Sequence, residues 1–140
     1  MKPQHVFEVF DWVAEAKTKA DKIKILKQNE HWAVKDVLKG CFDPNIKWLL
    51  PEGKPPYVAN KPESTPSSLY RQNQNFKYFV KGGPGTKMQA FKREKIFLGI
   101  LESVHPADAE ILVNMIMKKA PAKGITKALV KEAFPGLISE

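Results

Sequence analysis

The sequence has a single cysteine, Cys41, among its 140 residues. One thiol excludes an internal disulfide framework and a metal site built from several cysteines. The chain also lacks any run of about 18 apolar residues, so we expect no membrane span. Its first residues carry acids within the apolar stretch and no small-residue cleavage site, unlike a secretory signal. These absences predict a cytosolic protein without a membrane partner.

Arginine is scarce in a chain that is otherwise basic. The 23 basic residues include only Arg71 and Arg93, and they outnumber 15 acids to give a net charge of +8. Lysine is a flexible point charge that suits phosphates, whereas arginine is the usual reader of base edges. A nucleic-acid partner would therefore be held by its backbone, with little sequence specificity. A soluble protein that is merely basic has the same composition.

Apolar residues recur at helical spacing along most of the chain, and no alternating strand pattern is present. The sequence therefore predicts an all-α fold, a compact bundle of about six to seven helices. A chain of 140 residues suits one domain over 1–140, with a tail at 139–140. The helices are expected at 5–17, after Thr18, and at 31–42, 66–81, 87–104, 105–119 and 125–134.

Residues 43–67 interrupt this helical pattern, because they contain six of the 11 prolines. Proline lacks an N–H and blocks a continuous helix, so we expect an irregular connection. Its apolar residues, Trp48 and Tyr57 among them, indicate that it packs on the core. The predicted helix caps are Thr18 with Asp21, Thr65 before Pro66, Thr86 with Gln89, and His105.

The segment KGGPGTK, residues 81–87, has the glycines of a phosphate-binding loop but not the order of its polar residues. A Walker loop needs Lys followed by Ser or Thr after a strand, whereas here Thr86 precedes Lys87 and follows a predicted helix. A turn between helices is the expected structure. Backbone N–H groups at the next helix start could still contact a DNA phosphate, which makes Thr86 and Lys87 candidate DNA contacts.

No catalytic or metal-binding constellation is visible in the sequence. The histidines His5, His31 and His105 lie far apart and lack the spacing of metal ligands. Cys41 lies on an apolar helical stripe, where a core position is expected. The acids show no paired-carboxylate pattern. We therefore expect no cofactor, no metal and no enzymatic activity, with a small nuclease as a remote alternative.

The strongest local pattern is a lysine series near the C-terminus. Lys123, Lys127 and Lys131 recur every four residues, and Lys118 and Lys119 precede them across a turn. Lysines at this spacing share a helix face and repel one another, and a polyanion would relieve the repulsion. Apolar anchors for the last helix are expected at Ile125, Leu129 and Phe134. A solvated helical face is the alternative interpretation.

Residues 105–138 read HPADAEILVNMIMKKAPAKGITKALVKEAFPGLI. They combine an acidic helix start, an apolar helix ending in lysines, a glycine-containing turn and a short helix closing in Phe-Pro-Gly-Leu-Ile. This stretch resembles the end of the N-terminal DNA-binding domain of ATP-dependent DNA ligases of the T-even bacteriophage type. Weaker similarity extends upstream, over residues 19–42 and 85–104.

The resemblance implies an all-helical domain that grips duplex DNA across the minor groove, through backbone contacts around a nick. Carried onto matching positions, it nominates Lys119, Lys123, Gly124, Thr126 and Lys127 as DNA contacts. Gly124 would let the backbone approach closely, and Thr126 would bind a phosphate through its hydroxyl and its N–H. The charge pattern adds Lys118 and Lys131.

The chain departs from those ligases because it contains no Asp-Gly pair, and therefore no K-x-D-G nucleophile motif. We expect a non-enzymatic, phage-type DNA-binding protein, monomeric and located in the host cytoplasm, that binds duplex or nicked DNA. The alternative is a protein-interaction module that recruits a replication protein such as a sliding clamp, or inhibits a host factor. Stacking of single-stranded DNA on Trp48, Tyr57, Tyr70 or Tyr78 is a further possibility.

Overall fold

The computed structural model describes residues 5–51, 55–58, 61 and 67–138. This part of the chain is all-α, as predicted, and its only extended pairing is an isolated antiparallel bridge between Trp48 and Val80. It contains seven α-helices and two 3-10 helices, Asn73–Phe79 and Pro84–Lys87. The α-helices are α1 (Val6–Glu15), α2 (Lys19–Gln28), α3 (Trp32–Phe42), α4 (Leu69–Gln72), α5 (Ala90–Leu101), α6 (Pro106–Ile116) and α7 (Lys127–Ala133).

One hydrophobic core joins these helices, and α6 lies at its centre. Helix α6 packs against α1, α3 and α5, while α2 packs on both α1 and α7. The predicted apolar stripes of α1 and α3 are buried, including Cys41, and burial raises the pKa of its thiol to about 12. The predicted anchors of the last helix, Ile125, Leu129 and Phe134, are buried as well.

Two of the predicted caps are confirmed. Thr18 Oγ1 accepts the N–H of Asp21 at 3.1 Å, and His105 Nδ1 accepts the N–H of Ala107 at 3.0 Å. The predicted cap at Thr86 with Gln89 is wrong. Helix α5 begins only at Ala90, and Thr86 lies in a 3-10 helix where its hydroxyl accepts the N–H of Gly82 at 3.0 Å.

The long helix predicted over 66–81 is also wrong. Helix α4 is a single turn that continues as the 3-10 helix Asn73–Phe79. Asparagine side chains compete with helical backbone bonding. Here the amides of Asn73 and Asn75 are bonded to Asp36 and Gln72, at 2.9 and 2.8 Å. The predicted cap at Thr65 and Pro66 lies outside the described residues.

The described parts of the proline-rich connection pack on the core, as predicted. Backbone hydrogen bonds join Leu49 to Phe79 and Lys81 to Lys47, at 2.6 and 2.8 Å. The Trp48 indole N–H donates to the carbonyl of Gly40 at 3.2 Å.

The described part of the chain holds no helix long and apolar enough to span a membrane.

Candidate nucleic-acid interface

The connection from α6 to α7, residues 117–126, is called here the basic turn. It begins where α6 ends in a Schellman motif, in which the N–H of Lys118 donates to the carbonyl of Met115 and the N–H of Lys119 to that of Asn114. Lys118 occupies the position that usually carries glycine, and its φ is 59°. The chain therefore reverses sharply immediately before the exposed lysines.

Lys118 differs from the other lysines of the basic turn because its ammonium is hydrogen-bonded to the backbone of another helix. Its Nζ donates to the carbonyls of Gly40 and Asp43, each at 2.8 Å, at the C-terminal end of α3. Burial lowers the pKa of this ammonium, while the nearby Cys41 and Asp43 oppose the change. The sequence nominated Lys118 as a DNA contact, and in the structure its ammonium joins α6 to α3 while the residue remains exposed.

The exposed residues of the basic turn are Lys118, Lys119, Ala120, Lys123, Gly124 and Thr126. The ammonium groups of Lys119 and Lys123 make no hydrogen bond or ion pair within the described residues. Gly124 has a φ of 84°, a conformation that side chains disfavour, and its carbonyl faces α2. Ile125 is buried directly after it and fixes the turn on the core.

Helix α7 starts with an ordinary side-chain cap. The hydroxyl of Thr126 accepts the N–H of Leu129 at 3.2 Å, which leaves its own proton free to be donated. Lys127 is half-buried and Lys131 is exposed, and both lie on α7, whereas Lys123, the first lysine of the predicted series, lies before the helix in the basic turn. The acid beside this series, Glu132, forms an ion pair with Lys19 at 2.6 Å.

Lysines of helix α2 contact the basic turn and α7, which the sequence did not reveal. Lys22 Nζ donates to the carbonyl of Gly124 at 3.3 Å, and Lys19 pairs with Glu132. A lysine-rich helix is thereby packed along α7, next to the basic turn. The outward lysines of α2 were visible in the sequence, but nothing local indicates that they face residues more than one hundred positions away.

The predicted contacts Thr86 and Lys87 lie in a different environment. The segment 81–87, called here the glycine-rich turn, packs on the 3-10 helix Asn73–Phe79. Gly85 is buried against the backbone of Tyr78, and Arg93 donates to the carbonyls of Gly85, Met88 and Leu49. The structure thus shows the predicted turn between helices, and it does not join this turn to the basic turn by any hydrogen bond between described residues.

A second group of polar residues is buried between α1 and α6. Asp108 Oδ1 accepts the N–H of Phe7 at 2.8 Å, and Asp108 Oδ2 lies 3.8 Å from Nδ1 of His5. Burial raises the pKa of Asp108 to about 7, and burial lowers that of His105. Asp108 thus accepts a backbone N–H from the first turn of α1, and it lies in the first turn of its own helix, α6. Within the described residues no three potential ligands are grouped to hold a metal ion.

The fold and the basic turn define a small all-α protein with a lysine-rich surface at its C-terminal end. The chain belongs to a family of unknown function, DUF6433, whose sequence model matches residues 9–121. The match begins within α1, includes α2 to α6 and ends inside the basic turn. No curated protein matches the sequence.

Proposed function

We propose that this protein is a non-enzymatic DNA-binding protein that holds duplex or nicked DNA at the basic turn and along α7. The observation that carries the proposal is the exposure of Lys119, Lys123 and Gly124 within one short turn. The ammonium groups of Lys119 and Lys123 make no hydrogen bond or ion pair within the described residues, and the neighbouring acid, Glu132, is paired with Lys19. A phosphate backbone supplies the missing negative charge.

The charge distribution favours backbone contacts over reading of the bases. Arg93 is committed to three carbonyls of its own chain, and Arg71 lies in α4, so the basic turn contains no arginine. Lysines bind phosphates as point charges and discriminate little between sequences. We therefore propose salt-sensitive binding with little sequence preference.

The resemblance of residues 105–138 to a ligase DNA-binding domain adds support from the sequence. It suggests a preference for nicked duplex and a setting in phage DNA replication or repair. The alternative function, recruitment of a replication protein, rests on Trp48 and Tyr57. Both are half-buried, and the indole N–H of Trp48 is bonded to Gly40, so the described geometry gives this alternative less support.

The test compares binding to nicked duplex, intact duplex and single-stranded DNA as the salt concentration rises. A variant combining Lys119→Glu, Lys123→Glu and Lys127→Glu removes the proposed contacts. The matched control combines Lys81→Glu, Lys92→Glu and Lys95→Glu, which changes the net charge equally at exposed sites outside the turn. Each phosphate contact contributes about 0.9 to the salt slope, so the first variant should reduce it by roughly 3.

The control variant should keep most of the wild-type slope. Equal losses in both variants would show that only net charge matters and would contradict a site at the basic turn. No binding of wild-type protein to any of the three DNAs would contradict the proposed function and favour a protein partner.

A further inference from the structure

A groove opens between the start of α3 and the end of α7, at the opposite end of α7 from the basic turn. Its volume is about 580 Å³, and Trp32 forms one wall while Phe134 lies buried beneath. Its charged lining consists of three lysines and one acid, Glu30. The lysines are Lys27, Lys35 and Lys39.

Trp32 is the unusual residue of this groove, because the residue is 69% exposed. Lys35 Nζ lies 5.0 Å from the centroid of the Trp32 ring and 5.6 Å from that of Phe134. An ion pair with Glu30 also holds Lys35. The lysine therefore orients the indole by a cation–π contact, yet most of the ring remains open to solvent.

An indole held open beside lysines has the chemistry of a base-stacking platform. Every nucleobase offers a flat face to an aromatic ring, and neighbouring lysines neutralise the flanking phosphates. The residues that the sequence suggested for stacking, Trp48, Tyr57, Tyr70 and Tyr78, are all half-buried. Of the aromatics near the lysine-rich surface, Trp32 has the exposed face that stacking requires.

We propose that this groove binds an unpaired nucleobase of a single-stranded DNA segment that adjoins the duplex held by the basic turn. The inference rests on the proposed function. Helix α7 has seven residues, Lys127–Ala133, and rises about 10 Å between the basic turn and the groove. That length corresponds to roughly three nucleotide steps along one strand. One strand could therefore pass from the basic turn to the groove.

The test measures affinity for a blunt duplex and for the same duplex with a short single-stranded extension. Trp32→Ala should lower the affinity for the extended duplex about tenfold and leave that for the blunt duplex unchanged. Trp32→Phe should restore most of the loss, because it retains an aromatic face. Phe91→Ala is the matched control, since Phe91 is 66% exposed on another helix, and it should change neither affinity.

Equal binding of the extended duplex by wild type and Trp32→Ala would overturn the inference, even with blunt-duplex binding intact. If the wild type binds no duplex at all, the proposed function fails and a second measurement decides about the groove. A single-stranded oligonucleotide should quench the tryptophan fluorescence of the wild type, and Trp32→Phe should abolish that quenching. Unquenched wild-type fluorescence would overturn the groove proposal independently.

Discussion

The glycine-rich turn and the basic turn have similar compositions but opposite structural roles. Both contain glycine at positive φ, proline, threonine and lysines, and both precede a helix. In the glycine-rich turn the backbone is packed on Tyr78 and held by Arg93. In the basic turn Gly124 and two lysines face solvent. Both turns carry exposed lysines, so the two segments differ in their glycines: Gly85 is buried against Tyr78, whereas Gly124 is exposed.

Two glycines explain the difference in physical terms. A Cβ on Gly85 would lie 1.9 Å from the carbonyl oxygen of Tyr78, so glycine is needed there for close packing. A Cβ on Gly124 would meet the ammonium end of Lys22 at 2.8 Å, and a flexible side chain can move away. The first glycine is required by close packing of two backbones, whereas the second lies against a lysine side chain that can move.

The largest expected effect is on stability at the glycine-rich turn. Gly85→Ala should reduce the free energy of unfolding by about 3 kcal/mol, because the Tyr78 backbone must shift to admit the methyl group. Gly99→Ala is the matched control, since Gly99 lies in α5 with open space around it, and alanine there should stabilise by up to about 1 kcal/mol. Denaturant unfolding measures both. A Gly85→Ala protein as stable as wild type would contradict the packing described.

The scaffold that carries both turns should respond to pH through Asp108. Its pKa rises from 3.8 to about 7 on folding because the carboxyl is buried. Between these values the folded protein keeps a proton that the unfolded chain loses, so stability falls as pH rises. The slope from this group is at most about 1.4 kcal/mol per pH unit. Asp108→Asn retains an acceptor for Phe7 and should flatten the profile between pH 4 and pH 7.

Unfolding by denaturant at several pH values gives the two profiles. Parallel profiles for wild type and Asp108→Asn would contradict the raised pKa. The pH dependence of DNA affinity should differ from the pH dependence of stability, because Asp108 belongs to the core and not to the basic turn.

Substitution of Lys118 should affect stability, whereas substitution of its neighbour Lys119 should affect DNA binding. Lys118→Met should cost about 2 kcal/mol of stability, since two charge-assisted hydrogen bonds to Gly40 and Asp43 are lost. Lys119→Met should leave stability unchanged and weaken DNA binding. Thermal unfolding and DNA titration of both variants measure the contrast. Similar behaviour of the two variants in both assays would refute the separate roles.

A smaller effect on DNA affinity is expected when a lysine of the basic turn is compared with a lysine of the glycine-rich turn. Lys123→Glu should lower DNA affinity about tenfold at low salt, whereas Lys87→Glu should change it less than about twofold. Both side chains are exposed, so folding should be unaffected in either variant. A comparable loss from Lys87→Glu would instead support the sequence-based nomination of Thr86 and Lys87.

The smallest expected effect concerns the backbone of the basic turn. Gly124→Ala should cost about 1 kcal/mol of stability because its φ of 84° is strained for alanine. Gly82→Ala is the matched control, because its φ is 87° with no neighbouring atoms within 4 Å. Only the Gly124 variant should also weaken DNA binding. Equal affinities of the two variants would argue against a close backbone approach at Gly124.

The all-α fold was predictable because apolar spacing within α1 and α3 matches their buried faces. The 66–81 prediction failed at a stretch that contains Asn73 and Asn75, whose low helix propensity is not part of an apolar periodicity. The candidate site was partly predictable because Lys119 and Lys123 are close in sequence. The hydrogen bonds of Lys118 to the end of α3 were not predictable, because Gly40 and Asp43 are distant along the chain.

The most direct test is a lysine acetylation footprint of the protein with and without duplex DNA, read by mass spectrometry. The proposal predicts that DNA protects Lys119 and Lys123 and leaves Lys87 as reactive as in the free protein. Protection of Lys87 with Lys119 and Lys123 unchanged, or uniform protection of all exposed lysines, would contradict a DNA site at the basic turn.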